Sequence, residues 1–217
     1  MKGTIDIVIA LPEVFLATMA MVLMMVGIYA KAQRAYSLVT NLAIICLLLV
    51  LALIMLGKPS AIFAFNELFI NDTFAQFVKV LIVIAGILIL LIGDRSMKDH
   101  KIDRFEYPIL LMFASVGMML MVSANDLLSL YIGLELQSLS LYVIAALSRD
   151  SIRSSEAGLK YFVLGALSSC MLLYGCSLIY GFTGSTNFNL IADQLNADQY
   201  ALTFGIVFIL VGLAFKI

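Results

Sequence analysis

Residues Asn125 to Leu147 read NDLLSLYIGLELQSLSLYVIAAL, and this stretch decides the fold. It is long and apolar enough to cross a bilayer as one helix, which takes about 20 residues. Glu135 lies near its middle, where a carboxylate is costly unless protein or water surrounds it. Polar side chains recur on one helical face at i, i+4, i+7 and i+11: Tyr131, Glu135, Ser138 and Tyr142. We therefore predict that this face meets other helices or water and not lipid.

The composition of the whole chain agrees with a membrane protein. The 217 residues are 63% hydrophobic and 12% charged, whereas an average soluble domain is about 25% charged. The apolar runs do not alternate as the strands of a β-barrel would. We predict an all-α fold, a polytopic bundle of transmembrane helices in a lipid bilayer. The net charge of −1 leaves no basic field for nucleic acid.

Cysteine and histidine content argues against a redox or metal centre. The cysteines Cys46, Cys170 and Cys176 lie inside apolar runs and form no C-x-x-C pair, so we interpret them as buried small hydrophobes. With one histidine in the chain, we expect no haem, iron–sulfur or zinc site.

Hydropathy divides the chain into about seven helices, four in residues 1–124 and three in residues 125–217. Besides the opening stretch, the predicted spans are Ile5–Ala30, Leu38–Leu56, Thr73–Ile92, Tyr107–Ala124, Glu156–Tyr180 and a seventh that begins near Tyr200. Three polar segments are predicted as loops: Ser60–Asp72, with or without a short hairpin, the charged segment Gly93–Glu106, which contains His100, and Gly181–Gln199. The turn Asn125–Asp126 is so short that helices 4 and 5 must form an antiparallel hairpin.

Local signals suggest roles for several residues. Pro12 and Glu13 suit the first turn of helix 1, and Ser155 suits the N-cap of helix 6. The spacing Gly165-x-x-x-Ser169 favours close packing against another helix. Lys79 lies roughly 9 Å into helix 3, so we favour a side chain that reaches the headgroups over a buried one.

Basic residues predict the orientation of the chain in the membrane. Most lie in loops after odd-numbered helices: Lys31, Arg34, Arg95, Lys98, Lys101, Arg104, Arg149 and Arg153. Only Lys2 and Lys58 lie on the other side. The positive-inside rule then places the N-terminus outside.

Four ionisable residues fall within the predicted spans: Lys79, Glu135, Lys160 and Lys216. Removal from water disfavours a charged ammonium group, and a carboxylate about 4 Å away restores roughly 4 kcal/mol at an effective dielectric near 20. Movement of Glu135 relative to a lysine can therefore switch that lysine between holding and releasing a proton. From charge placement alone, proton transport, transport of another solute and purely structural pairing all stay open.

Two strings carry a resemblance to a known family: LLSLYIGLELQSLSLYVIAAL (Leu127–Leu147) and EAGLKYFVLGALSSCMLLYGCSLIYGFTGSTNF (Glu156–Phe188). Both closely resemble subunit N of bacterial NADH-quinone oxidoreductase, respiratory complex I. The opening Leu11–Glu13 (LPE) fits the same family, and Gly212–Ile217 (GLAFKI) looks like the start of its GLxFKxSxxPFHxWxPDVYxG motif.

The resemblance implies an antiporter-like fold of roughly fourteen helices with two inverted repeats. It implies a proton-translocating subunit that binds no cofactor itself, while partner subunits use NADH, FMN, iron–sulfur clusters and quinone. The implied partners are neighbouring antiporter-like and small membrane subunits of complex I, and the implied location is the bacterial inner membrane with a periplasmic N-terminus. The family's proton-relay residues match Glu135, Lys160 and Lys216; Lys79 matches no family role, and Tyr131, Ser138 and Tyr142 are further candidates.

The resemblance also implies that the chain is cut within helix 7 and holds an incomplete first repeat. We expect such a fragment alone to be inactive as a pump. Two other functions stay open: a subunit of a multi-subunit sodium/proton antiporter, and a scaffold that transports nothing.

Overall fold

The structure, a computed structural model, describes residues 7–30, 32–57, 62–99, 102–194 and 200–216. Within these ranges the helices and strands are α1 (Leu11–Tyr29), α2 (Ala32–Leu56), β1 (Ile62–Ala64), β2 (Phe69–Asn71), α3 (Thr73–Asp99), α4 (Glu106–Val122), α5 (Leu127–Ala145), α6 (Ile152–Thr183), α7 (Phe188–Gln194) and α8 (Tyr200–Ala214). Five of the described helices, α1, α2, α3, α5 and α6, are long and apolar enough to span a membrane, and α4 and α8 are shorter apolar helices. The prediction of a multi-pass helical membrane protein is confirmed.

The helices form two adjoining packed groups. Helices α1 to α4 pack on one another around a buried cluster that includes Leu16, Leu47, Val83 and Met112. Helix α5 packs on α4, α6 packs on α5, and α8 packs on α6, with a second buried cluster around Leu172 and Cys176. The outer faces stay apolar and exposed, as lipid contact requires.

The hairpin of α4 and α5 closes more tightly than ordinary side chains allow. A Cβ atom on Gly117 would lie 2.6 Å from both the Gln137 nitrogen and the Gly133 carbonyl oxygen. Small residues at such crossings let two backbones approach directly, which is a common device of helix packing in membranes.

Three segments that are distant in sequence join by backbone hydrogen bonds at one end of the bundle. Residues 62–71, 123–127 and 184–188 make this structure, which we call the belt. On one side, Ile70 N donates to Ser123 O at 2.8 Å and Asn125 N donates to Leu68 O at 3.0 Å. On the other side, Leu127 N donates to Thr186 O at 2.9 Å. The belt thus ties the β-hairpin to the α4–α5 turn, and that turn to the chain after α6.

Asp126 holds the belt together at its centre. Its side chain is 1% exposed and caps α5 by accepting from Leu128 N and Ser129 N at 2.8 and 3.2 Å. Its second oxygen accepts from the Thr186 hydroxyl. One buried carboxylate therefore serves both a helix N-terminus and the segment after α6.

Replacement of Asp126 by alanine should lower the stability of the protein. Loss of the cap and of the buried hydrogen bond to Thr186 should cost about 2–3 kcal/mol. Thermal unfolding in detergent measures the change, and Asp150→Ala serves as the control because the Asp150 side chain is 96% exposed. An equal thermal midpoint for the two variants would contradict the role of Asp126.

Helix boundaries differ from the sequence prediction where charged residues continue a helix beyond the membrane. Helix α3 runs on through Gly93 to Asp99, since Asp94 and Lys98 pair at i,i+4 with 2.7 Å between Lys98 Nζ and Asp94 Oδ2. Helix α6 begins at Ile152, because Ser151 and not Ser155 is its N-cap. The predicted loops at 93–106 and 181–199 are therefore shorter than expected, and the second contains α7.

Two other features of the prediction have definite outcomes. The 60–72 segment does contain a two-stranded hairpin, in which Ile62 pairs with Asn71. Some residues used for the predicted ends and orientation lie outside the described residues: Lys2, Ile5, Lys31, Lys58, His100, Lys101, Gln199 and Ile217.

Candidate functional site

The described structure brings Glu135 and Lys216 together in the middle of the bundle. Lys216 Nζ lies 2.5 Å from Glu135 Oε1, and these side chains are 10% and 21% exposed, respectively. The Ser169 hydroxyl donates to the same carboxylate oxygen at 2.5 Å. Lys216 Nζ also lies 3.4 Å from Ser138 Oγ. The predicted partner of Glu135 is therefore found on α8, with a second hydrogen bond from α6.

The site is assembled from three parts of the fold: α5 supplies Glu135 and Ser138, α6 supplies Ser169, and the residues after α8 supply Lys216. Glu135 lies about 12 Å along α5 from its first residue, and Lys216 follows directly after the last turn of α8. The Ser168 hydroxyl on α6 donates to Gly212 O on α8 at 2.8 Å, and this bond fixes the register of the two helices along their axes. The site thus depends on the register of α8 against α6.

A cavity of about 250 Å³ with a mixed polar and apolar lining is bordered by Lys216. Its polar lining comes from Gln137, Ser138, Tyr142, Tyr161 and Lys216. A cavity of this size and polarity has room for several water molecules. The arrangement gives Lys216 a carboxylate on one side and a water-compatible space on the other, which is what a group that exchanges protons requires.

The predicted polar face of α5 is turned inward, as expected. Ser138 and Tyr142 are buried, and the Tyr142 ring meets the Tyr161 ring edge to face at 4.7 Å between centroids. Tyr131 is partly buried against the second apolar cluster. The close contact predicted from Gly165-x-x-x-Ser169 is confirmed, since a Cβ on Gly165 would meet the Tyr142 ring.

Lys160 lies apart from this group in the described structure. Its Nζ bonds to Glu156 Oε1 at 2.6 Å, one turn away on the same helix, and both side chains are exposed. The structure therefore does not bring Lys160 to Glu135, and a role for it in proton transfer stays a prediction.

A second buried ion pair joins α1 to α3. Lys79 Nζ lies 2.6 Å from Glu13 Oε1, and the two side chains are 2% and 3% exposed. The expectation that Lys79 reaches the headgroups is wrong. Lys79 is held inside by the carboxylate and by the Phe69 ring of β2, whose centroid lies 4.8 Å from Nζ.

Sequence reasoning missed Ser169 as a donor and Glu13 as a partner. Ser169 was recognised only as a small packing residue, although a hydroxyl on that face was the available signal. Glu13 occupies the first turn of α1 after Pro12, as predicted. Because that position alone explains an acidic residue there, nothing in the sequence indicated that Glu13 is buried. Within the described residues, no group of three or more His, Cys, Asp or Glu residues can hold a metal ion.

Membrane-spanning helices around a part-buried carboxylate–ammonium pair are features of an antiporter-like membrane protein. Residues 124–217 match the family described as "NADH:quinone oxidoreductase/Mrp antiporter, TM". The fold is shared with a chain of an archaeal membrane-bound sulfane sulfur reductase, with a TM-score of 0.73, 23% identity and coverage of 98% of this chain and 44% of that chain. The Mrp complex from Dietzia sp. DQ12-45-1b contains another chain of this fold. Its TM-score is 0.70 at 20% identity, and the match covers 96% of this chain and 40% of that chain.

Sequence identity to the subunit N relatives is much higher than to these two chains. NADH-quinone oxidoreductase subunit N from Pelagibacter ubique is 51% identical over 95% of this chain and 44% of its own length. Subunit N 1 from Rhizobium meliloti is 52% identical over 96% of this chain and 44% of its own length. A chain of respiratory complex I from Thermus thermophilus superimposes with a TM-score of 0.74 at 30% identity, covering 94% of this chain and 43% of that chain.

This chain is similar to NADH-quinone oxidoreductase subunit N over nearly all of its own length. It spans about 44% of the length of the relatives named here.

Proposed function

We propose that this chain carries part of a proton-translocation path in the membrane arm of NADH:quinone oxidoreductase. The observation that carries the proposal is the Glu135–Lys216 ion pair, placed mid-bundle and bordered by a cavity with several polar lining residues. The subunit N relatives support the assignment to this complex and not to another membrane assembly.

The proposed step is a switch in the charge state of Lys216. While Glu135 lies beside it, Coulomb attraction favours the protonated ammonium, as between opposite charges a few ångströms apart in a poorly polarisable medium. When the two groups separate, Ser169 continues to donate to the carboxylate, and Lys216 releases its proton into the neighbouring cavity. Helix movement is thus converted into release of a proton.

The wider assignments extend to this chain what its similarity to the subunit N relatives implies. The chain contributes to a translocase without binding a redox cofactor itself, and NADH, FMN, iron–sulfur clusters and quinone belong to partner subunits. Its neighbours are other membrane subunits of complex I. The bundle lies in the bacterial inner membrane with the N-terminus on the periplasmic side, because the described basic residues Arg95, Lys98, Arg104, Arg149 and Arg153 all lie at or beyond the opposite end.

A sodium/proton antiporter subunit is the second candidate, since the matching family description includes the Mrp antiporters. The two functions differ in their driving force. Proton movement that requires NADH oxidation favours complex I, whereas sodium-dependent proton movement without NADH favours an antiporter.

Replacement of Glu135 by glutamine tests the proposal. The amide keeps the shape and the hydrogen bond from Ser169 but removes the charge opposite Lys216. We expect NADH-driven proton translocation by vesicles containing the assembled complex to fall about fivefold, equivalent to ~1 kcal/mol of barrier. Asp94→Asn is the matched control, since Asp94 also pairs with a lysine but on the exposed end of α3. Equal translocation by both variants and the parent would refute the assignment.

A further inference from the structure

The Glu13–Lys79 pair has features that a purely structural ion pair lacks. It joins α1 to α3, and neither residue contributes to the Glu135 site. Glu13 Oε1 faces the Lys79 ammonium at 2.6 Å, whereas Glu13 Oε2 has no hydrogen-bond partner in the described part of the chain. A buried carboxylate is normally hydrogen-bonded on both oxygens, because the loss of hydration is otherwise uncompensated. In this pair the lost hydration of Oε2 is not compensated by a hydrogen bond from the described residues.

A cavity extends from Lys79, the one member of the pair that lines it, to the end of the bundle that carries the belt. It measures about 500 Å³ and lies between α1, α2 and α3. Lys79 lines its inner part, while Gly57 after α2 and Asn71 of β2 line the part beside the belt. Asn71 and Gln76 add polar groups to an otherwise apolar lining. The cavity thus provides a route by which water can reach a buried pair of charges.

We propose that Glu13 and Lys79 form a second proton-exchange site, open to the aqueous phase at the belt end through this cavity. The inference rests on the proposed function of the chain and adds a site to it. In the exchange step, Lys79, which lines the cavity, passes a proton to Glu13 Oε1 and takes one from a hydronium ion in the cavity, which is left as water. The carboxylate becomes a neutral carboxylic acid while Lys79 stays charged, and the reverse step returns the proton to water.

The surroundings of the pair make this gain of a proton feasible. After Glu13 is protonated, the Phe69 ring still faces the Lys79 ammonium at 4.8 Å and partly stabilises its charge. The buried position of Lys79 therefore does not require Glu13 to stay ionised. A pair whose only task is to pin α1 to α3 would require no water path and would be served better by a hydrogen-bonded carboxylate.

Water access is tested by cysteine labelling in the assembled complex. With Cys46, Cys170 and Cys176 replaced by serine, Lys79→Cys is exposed to a membrane-impermeant cationic thiosulfonate on each side of the vesicle in turn. Val83→Cys is the matched control, because Val83 lies one turn further along α3 and is 0% exposed. We expect Lys79→Cys to react from the belt side only and Val83→Cys to react from neither. If Lys79→Cys fails to assemble, Leu53→Cys, which lines the same cavity from α2, replaces it.

Two labelling results would overturn the proposal: no reaction of the cavity cysteine from either side, or equal reaction of the cavity cysteine and Val83→Cys. Both would remove the water path on which the exchange step depends.

Proton exchange itself is tested by the double variant Glu13→Gln/Lys79→Met. Because both charges are removed together, no uncompensated charge stays buried, and we expect normal assembly with about threefold slower NADH-driven proton translocation. Asp94→Asn/Lys98→Met, which removes an exposed pair from the other end of α3, should translocate at the parental rate. An assembled double variant with parental translocation would show that the pair is only structural.

The Glu135→Gln variant in the same assay separates this inference from the proposed function. Loss of translocation in Glu135→Gln together with a parental rate in the Glu13 and Lys79 double variant refutes the second site alone. Parental rates in all of these variants refute both assignments.

Discussion

Replacement of Lys216 by arginine should leave assembly intact and abolish most proton translocation. Arginine keeps the positive charge opposite Glu135 and can donate to the same oxygen, and the neighbouring cavity of about 250 Å³ has room for its larger head. A guanidinium group does not lose its proton in proteins, however. We expect NADH-driven proton translocation to fall by about tenfold or more, since a positioned proton-transfer group contributes ~10²-fold or more to a rate.

This variant separates the two roles that an ion pair can have. If the Glu135–Lys216 pair only fixes α5 against α8, arginine should serve as well as lysine, and translocation should match the parent. Lys98→Arg provides the control for the change of head group, because Lys98 pairs with Asp94 on an exposed surface. Each translocation rate is divided by the amount of assembled complex, which is measured on native gels.

Replacement of Gly117 by valine should prevent assembly. The atoms that a Cβ would meet at 2.6 Å belong to the backbone of α5, so no change of side-chain conformation relieves the overlap. The α4–α5 hairpin has to separate, with loss of packing on both sides of the crossing. Overpacking of this kind costs about 3 kcal/mol or more, a large share of the stability of a folded protein.

Gly181→Val is the matched control for this steric argument. A Cβ on Gly181 meets nothing within 4 Å, although Gly181 also lies in a membrane-spanning helix. The amount of assembled complex should therefore be near the parental level for Gly181→Val and strongly reduced for Gly117→Val. A comparable yield of both variants would show that the crossing tolerates a wider separation.

Several features of the site were within reach of the sequence. An acidic residue in the middle of an apolar span requires a partner, and this alone predicted that Glu135 faces the interior. Its pairing with Lys216, which the family resemblance implied, is present in the structure, and the close approach at Gly165 is present as well. These predictions succeeded because helical periodicity determines which residues share a face.

Other features depend on contacts that periodicity does not reveal. Lys79 seemed able to reach the membrane surface because its depth was judged along one helix, whereas its actual position is set by Glu13 on another. The extension of α3 beyond Ile92 depends on the Asp94–Lys98 pair. In the sequence, these charged residues are equally compatible with a solvated loop. The belt consists of backbone hydrogen bonds between segments roughly 60 residues apart in the sequence, for which the side-chain pattern gives no signal.

The belt also sets an order for biogenesis. Among the described residues, Leu127 N bonds to Thr186 O and Asn125 O accepts from Phe188 N, so these bonds cannot form until the ribosome has passed α6. The bonds of the β-hairpin to residues 123–125 and the cap of α5 by Asp126 join residues that are synthesised earlier. Residues 184–188 are therefore the last part of the belt to be added during synthesis.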